Sequence, residues 1–599
     1  MLDHPRFGEI APVTGGGDPL GTSPVNEMLY RTTFPAVNNV IEYIRIYSAL
    51  CWMIGIIHET AERDKSRSLL ELTKIGLEKI QLLLSWHYWG QGLTGLAGNG
   101  RVFTKDAVPV ELRFHTLLDN NARIALEKNP DAKIAEGAHF LQAAQYRPSL
   151  INGFSFARES RVVADTYHLN PGGEELAEAY ENAIHKHPLR DWLADLDKNF
   201  ASYDDVKKMS SMLNLLKPSS GEKQAFLKHY YPAADYRLPA PNWRNRHMGL
   251  TLALRAVAAE TSDDSDGKGR SVHVDTIRHT MASGVARNGK PLDLTNIESI
   301  HGVWSSLQLR QVFRKAMDVL VRRVESWIQD AEINRKPRWI QDCAQGIGLE
   351  LEEALPKEHC SLVSEALKMY EELRGGFPSM SAAAPKVPEL RIWSLQEKLR
   401  GLESFASGAP EETEALTTAY YVLLFCMLEV ESLSKNPHFL LRHKGADDLP
   451  LAPFCQVLRQ FENKSPSQLM AHVVQYYVIS QHFKVMRRRT KDFHNRFRFI
   501  NGDNGLERTL HAGKLYEPAE LQDLLEHALY LLDQCGLVEL DEDGLFAITE
   551  EGLERLSQYE PPWSKEKVEE QNTLDAQEEL EEEDILDEQE DEEALDETI

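Results

Sequence analysis

The sequence predicts a mainly α-helical, multi-helical body, closed by a small C-terminal α+β module and an acidic tail. Three observations carry this. Apolar residues recur at helical spacing through most of the chain. Strand-like alternation is scarce before residue 500. One stretch near the C-terminus then switches to helix–strand–turn–strand–helix order. With 599 residues, 42% of them hydrophobic, the chain is long enough for two to four cores.

The elements follow in order. Residues 1–25, polar and rich in Gly and Pro, read as a flexible leader. Residues 26–372 read as one or more helical N-terminal domains. Within them, Ile46 to Ile57 is a 12-residue apolar run bounded by Arg45 and by His58 and Glu59. At helical rise it spans about 18 Å, against about 30 Å of bilayer hydrocarbon, so it reads as a core helix. Leu69, Leu70, Leu72, Ile75, Leu77, Ile80, Leu82, Leu83 and Leu84 make the next wide apolar face. Helical signals resume near Lys133. Residues 260–271 are a polar loop, and "GVWSSLQLRQVFRKAMDVLVRRVESWIQDAE" is a long amphipathic helix carrying Trp304, Leu307, Leu309, Val312, Phe313 and Met317. Residues 373–389, Gly, Pro, Ser and Ala with little to bury, are the best internal linker. Residues 390–500 form a further helical domain.

Residues 501–560 change character. Pro518 suits a helix start, Leu521, Leu524, Leu525, Ala528, Leu531 and Leu532 share a helical face, and Gly536 suits its end. "LVEL" and "LFAIT" flank an Asp-Glu-Asp-Gly turn, and a last helix follows from Glu550. This order resembles the second half of a winged-helix domain, so the fold class becomes mainly α with a winged-helix-like module and a disordered tail, 561–599. Winged helices often hold DNA, but Glu539, Asp541, Glu542 and Asp543 on the hairpin, with Glu517, Glu520, Asp523 and Glu526 before it, would be repelled by phosphates. The module reads instead as packing on protein.

Charge is unevenly placed. The net is −27, but residues 561–599 hold 18 Asp or Glu against two Lys. The opposite sign gathers at "KVMRRRTKDFHNRFRF". There Lys484, Arg487, Arg488, Arg489, Lys491, Arg496 and Arg498 interleave with Phe493, Phe497 and Phe499, a pattern suited to a phosphate backbone and stacked bases. The same run also reads as a solvated helix end, or as a dock for the acidic tail.

Other patterns carry less. Gly90, Gly92 and Gly95 match a dinucleotide fingerprint but follow a Trp-rich helix rather than a strand. His58 to Glu62 lacks the second histidine of a zincin, and His185 and His187 read as surface residues. The six cysteines are scattered singly, as buried reduced thiols. No cofactor or metal is expected. Arg489 and His494, at Arg-x4-His spacing, resemble the active motif of HEPN-type ribonucleases, small helical domains. That resemblance implies a histidine moving a proton while the arginine steadies phosphate charge.

"LYRTTFPAVNNVIEYIRIYSALCW", "GLAGNGRVF", "VWSSLQLRQVFRKAMDVL" and "ISQHFKVMRRR" together resemble large helical bacterial proteins associated with anti-phage defence loci. The resemblance implies a setting, the bacterial cytosol and a multi-gene complex, rather than a mechanism. The expectation is therefore a cytoplasmic, non-enzymatic scaffold or adaptor with protein subunits as partners, DNA or RNA as a further contact, and no membrane. The alternative is a helical, metal-independent ribonuclease using Arg489 and His494.

Overall fold

The computed structural model describes residues 18–38, 41–93, 96, 103, 108–113, 146–232, 243–261, 271–356, 361–375, 410–433, 448–489, 497–509, 515–516 and 523–558. These residues are mainly helical. Their strands form two-stranded antiparallel pairs: β1 (Glu111–Arg113) with β4 (Phe200–Ser202), β2 (Ala157–Glu159) with β3 (Tyr167–Leu169), β5 (Phe499–Gly502) with β6 (Gly505–Arg508), and β7 (Val538–Leu540) with β8 (Phe546–Ile548).

A first core forms around α1 (Ser23–Thr33), α2 (Ile44–Arg63) and α3 (Leu69–Gly90). The apolar run of α2 is buried on every side, as a core helix requires. Helix α3 starts where Ser68 Oγ accepts the Glu71 N–H at 3.2 Å. From Ile75 to Trp89 it is buried all round, including Glu78, Lys79 and Gln81, so burial extends beyond the apolar face that its pattern marks. Lys79 survives inside because its ammonium donates to the Trp192 and Asp195 carbonyls at 2.7 and 2.8 Å. Gly90 and Gly92 lie at the end of α3, so the fingerprint-like glycines follow a helix; Gly95 lies outside the described residues.

Helices α4 (Pro171–Ile184), α5 (Ser220–Tyr230), α6 (Trp243–Thr261) and α7 (Val274–Ser283) complete this core. Two arginines tie it together from within. Arg45 meets Glu222 at 2.7 Å, and Ser48 Oγ donates to the same carboxylate at 2.6 Å. Arg246, fully buried, donates to the carbonyls of Tyr230, His229, Pro35 and Gly153 and sits 5.0 Å from the Phe154 ring centre.

Helix α8 (Glu298–Ile333) leaves the first core and becomes the axis of a second. Ile300, Val303, Trp304 and Leu307 belong to the first core, and Leu309 through Ile328 to the second. Around that half pack α9 (Ile340–Ala354), α10 (Val363–Gly375), α11 (Pro410–Leu433), α12 (Leu451–Arg459), α13 (Pro466–His472), a π-helical segment (Val473–Ser480) and α14 (Gln481–Arg489). The segment Glu411–Glu431 is long and apolar enough to cross a membrane by length and composition, yet 67% of its most apolar stretch is buried inside the protein.

Chain order and core membership do not coincide. Asp18, Leu20 and Thr22, expected in a flexible leader, are buried, and Leu20 joins the second core. The 501–560 stretch is divided. Leu506, Leu515 and Tyr516 belong to the second core, whereas α15 (Leu525–Cys535) and β7–β8 belong to the first. Helix α16 (Glu550–Ser557) follows, so the order α15–β7–β8–α16 is as the sequence reads. One detail differs: Leu524, expected on the helical face, stands before the helix with φ +64, next to Asp523, which is held inward by Arg278. The module packs on the rest of this chain: Val272 pairs with Phe546, Tyr230 Oη donates to the Ala528 carbonyl at 2.9 Å, and Arg555 donates to the Tyr231 carbonyl at 2.9 Å. Pro518, most of the 373–389 linker, the region near Lys133 and the tail 561–599 lie outside the described residues.

Candidate nucleic-acid interface

The basic run begins on α14, and the helix is fixed from below. Ser465 and Gln468 cap α13 reciprocally, and the π-helical segment then widens the coil before α14 resumes. Gln481 Nε2 donates to the carbonyls of Leu20 and Asp448, at 3.1 and 2.9 Å. His482 is fully buried. Its Nε2 accepts the Arg498 N–H at 3.2 Å, which leaves Nδ1–H to face the Pro19 carbonyl at 3.4 Å. Burial pushes its pKa down to about 4, so the ring stays neutral. Val485 and Met486 complete the inner face.

The outer face carries charge. Lys484, Arg487 and Arg488 are exposed. Arg488 NH1 meets Asp448 Oδ1 at 2.7 Å, which ties the helix to the start of α12 and spends that cation on the fold. Lys484 and Arg487 remain directed at solvent. Arg489 is the last residue of α14; Lys491, Phe493, His494 and Arg496 lie outside the described residues, and so does the Arg489–His494 pairing.

Arg498 departs from the sequence expectation. It is turned inward, with NH2 at 2.9 Å from Glu325 Oε2 and its guanidinium 5.5 Å from the Tyr516 ring centre. Glu325 is fully buried on α8 and also accepts the Tyr516 N–H at 2.7 Å. A buried carboxylate needs such partners, so Arg498 serves the interior rather than a phosphate. Phe499 is fully buried in the second core and cannot stack on a base. Phe497 is half-buried, 6.0 Å edge-on to His482.

The same inward turn runs along α8. Gln308, Gln311, Lys315, Asp318, Arg322 and Glu325 recur at alternating three- and four-residue spacing, which places them on one face. All are buried. Tyr516 covers this face: its hydroxyl donates to Asp318 at 3.1 Å and its carbonyl accepts from Arg322 NH1 at 2.9 Å. Gln308 Nε2 reaches Asp523 at 3.2 Å. Burial pushes Asp318 up to about 6, against the pull of Arg314 at 3.7 Å. On a neighbouring face Arg323 joins Glu350 at 2.7 Å and Glu412 at 3.2 Å. These groups knit α8 to its covering segments.

Other clusters have different character. A surface groove of about 480 Å³ between α4 and α5 is lined by Glu175, Glu178, Asn182, Ser219, Gln224 and Lys228, with Lys228 bound to Glu175 at 2.8 Å. Its carboxylates disfavour an anion. His58 and His168 lie with ring centres 4.7 Å apart, tilted by 34°, and His58 Nε2 lies 2.7 Å from the Tyr167 carbonyl. Among the described residues no group of three His, Cys, Asp or Glu could hold a metal ion. Cys51, Cys343, Cys426, Cys455 and Cys535 are buried free thiols; Cys360 lies outside the described residues.

Sequence reasoning missed one exposed basic and aromatic group, Arg335, Lys336 and Trp339. The signal was present as two cations and a tryptophan around Pro337, just past the end of a long helix. Comparison of the chain with family models, curated proteins and solved structures finds no match.

Proposed function

We propose that the protein is a cytoplasmic, non-enzymatic scaffold of a bacterial anti-phage defence complex, contacting nucleic acid through the basic end of α14. One observation supports this most: Lys484 and Arg487 face solvent on a helix whose other face is fixed at Gln481, His482, Val485 and Met486. Cations on a rigid helix meet phosphates without a backbone ordering cost. The acidic, winged-helix-like module takes a different part in this reading. Its helix and hairpin are committed to the first core, so it acts as an internal tie and leaves contact with nucleic acid to α14.

The test is binding of a labelled oligonucleotide across a salt series. Lys484→Glu with Arg487→Glu should weaken binding at least tenfold and flatten the logarithmic salt dependence by roughly one to two units. Unchanged binding in the double variant would refute the α14 surface. Cleavage of RNA by the purified chain, lost on His494→Ala, would put the ribonuclease reading in its place.

A further inference from the structure

Helix α8 ends in an unusual way. The Lys336 N–H donates to the Ala331 carbonyl and the Arg335 N–H to the Glu332 carbonyl, the paired bonds of a Schellman motif. The residue at the left-handed position of that motif is ordinarily glycine. Here it is Arg335, at φ +53. A long side chain is held where its backbone is strained, and that side chain is exposed. Pro337 then prevents the helix from continuing.

The loop beyond is rigid. The Arg338 carbonyl accepts the Leu506 N–H at 2.6 Å, and Arg338 bridges Gly505 in parallel. Gly505 has φ +94, and a Cβ there would lie 2.2 Å from the Arg338 carbonyl oxygen, so only glycine permits this approach. The Arg338 guanidinium holds Glu332 and Glu507, each at 3.2 Å, which offsets one of the two carboxylate charges and fixes both side chains. Arg335 and Lys336 are left exposed, with no ion-pair partner among the described residues. Three apolar side chains are exposed on this loop and on the hairpin it pairs with: Ile333 at 71%, Trp339 at 52% and Ile500 at 40% exposure. Ile500 lies on β5 opposite Glu507, the residue bound to Arg338. Strand β5 directly continues the basic run that starts on α14.

We propose that Arg335, Lys336 and Trp339 form a binding platform for single-stranded nucleic acid. Trp339 stacks on a base while Arg335 and Lys336 meet the flanking phosphates. The strand form follows from the chemistry: an exposed indole stacks only on a base that is not already paired and stacked in a duplex. The cations fit phosphates of DNA or RNA alike. This inference rests on the reading that the chain contacts nucleic acid, and adds to the α14 surface a second contact at the end of α8.

The test uses the full chain with single-stranded DNA, single-stranded RNA and duplex DNA of equal length. Arg335→Gly is the informative variant, because it removes the cation and relieves the backbone. Its melting temperature should be unchanged or higher while single-strand affinity falls severalfold. Trp339→Ala should lower single-strand affinity about tenfold and spare the duplex, and Trp339→Phe should restore most of it. If these variants bind as the parent does while the Lys484/Arg487 double variant loses binding, the platform is wrong and the α14 surface stands. If the Lys484/Arg487 variant is unaffected while the loop variants lose single strands, the platform stands and the α14 surface does not. If no nucleic acid binds, both are wrong. Anionic phospholipid vesicles, bound by the parent and lost on Trp339→Ala with no single-strand effect, would identify a membrane-facing patch and overturn the proposal.

Discussion

The buried face of α8 and the basic surface around the β5–β6 hairpin use the same residue types to opposite ends. On α8, Lys315, Asp318, Arg322 and Glu325 are covered by Tyr516 and neighbouring segments. Just past the C-terminal end of the same helix, Arg335 and Lys336 are bare. On the basic run, Arg487 faces water while Arg498 is inside on Glu325. What separates them is coverage rather than local composition. A buried cation needs a carboxylate or carbonyl on an apposed segment, whereas an exposed one needs nothing from the fold and is left to act on a partner.

Removing a covered charge should have the largest effect. Glu325→Ala leaves Arg498 and the Tyr516 N–H facing an apolar gap, so unfolding free energy in urea should fall by about 3–5 kcal/mol. A loss below about 1 kcal/mol would mean that this face is wetter than its burial suggests, and the contrast with the surface would break.

The pH dependence of stability comes next. Burial holds His87, His229 and His482 near pKa 4, against about 6.5 in an unfolded chain. The unfolded chain therefore binds more protons between these values, and stability should fall as pH drops from about 6.5 toward 4. Asp318 acts in the other direction. Its pKa rises from an ordinary 3.8 to about 6, so its contribution is present below 3.8 and lost as pH rises through 6. The three histidines outweigh it. Urea midpoints at pH 6.5 and 5 should show a net loss, which His482→Gln reduces and Asp318→Asn enlarges.

The smallest effect belongs to the surface. Lys484→Glu with Arg487→Glu, the pair expected to weaken binding at least tenfold, should change unfolding free energy by no more than about 0.5 kcal/mol. A larger loss would show that these cations serve the fold, and would sharpen the comparison by moving them to the covered group.

Much of the architecture was legible in the sequence. The 12-residue apolar run was too short for a bilayer and became a core helix, because burial of an all-apolar helix needs only enough surrounding chain. The α15–β7–β8–α16 order followed from turn chemistry and helix stops that act within a few residues: Asp541 accepts the Asp543 and Leu545 N–H groups, and Gly536 closes the helix at φ +85. The candidate site was legible only in part. Lys484 and Arg487 are exposed as the run suggests, but the fate of Arg498 depends on Glu325, which lies 173 residues away.

The sequence by itself determined that the chain is mainly helical, where the acidic charge lies and that the cysteines are scattered singly, because periodicity, composition and spacing are local properties. Only the tertiary structure decided that the polar face of α8 turns inward, that Leu20 and Tyr516 share one core, and that the C-terminal module closes the first. Helical periodicity creates two faces but does not say which meets water. That choice is made by the segments that arrive to cover a face, and here they come from the two ends of the chain.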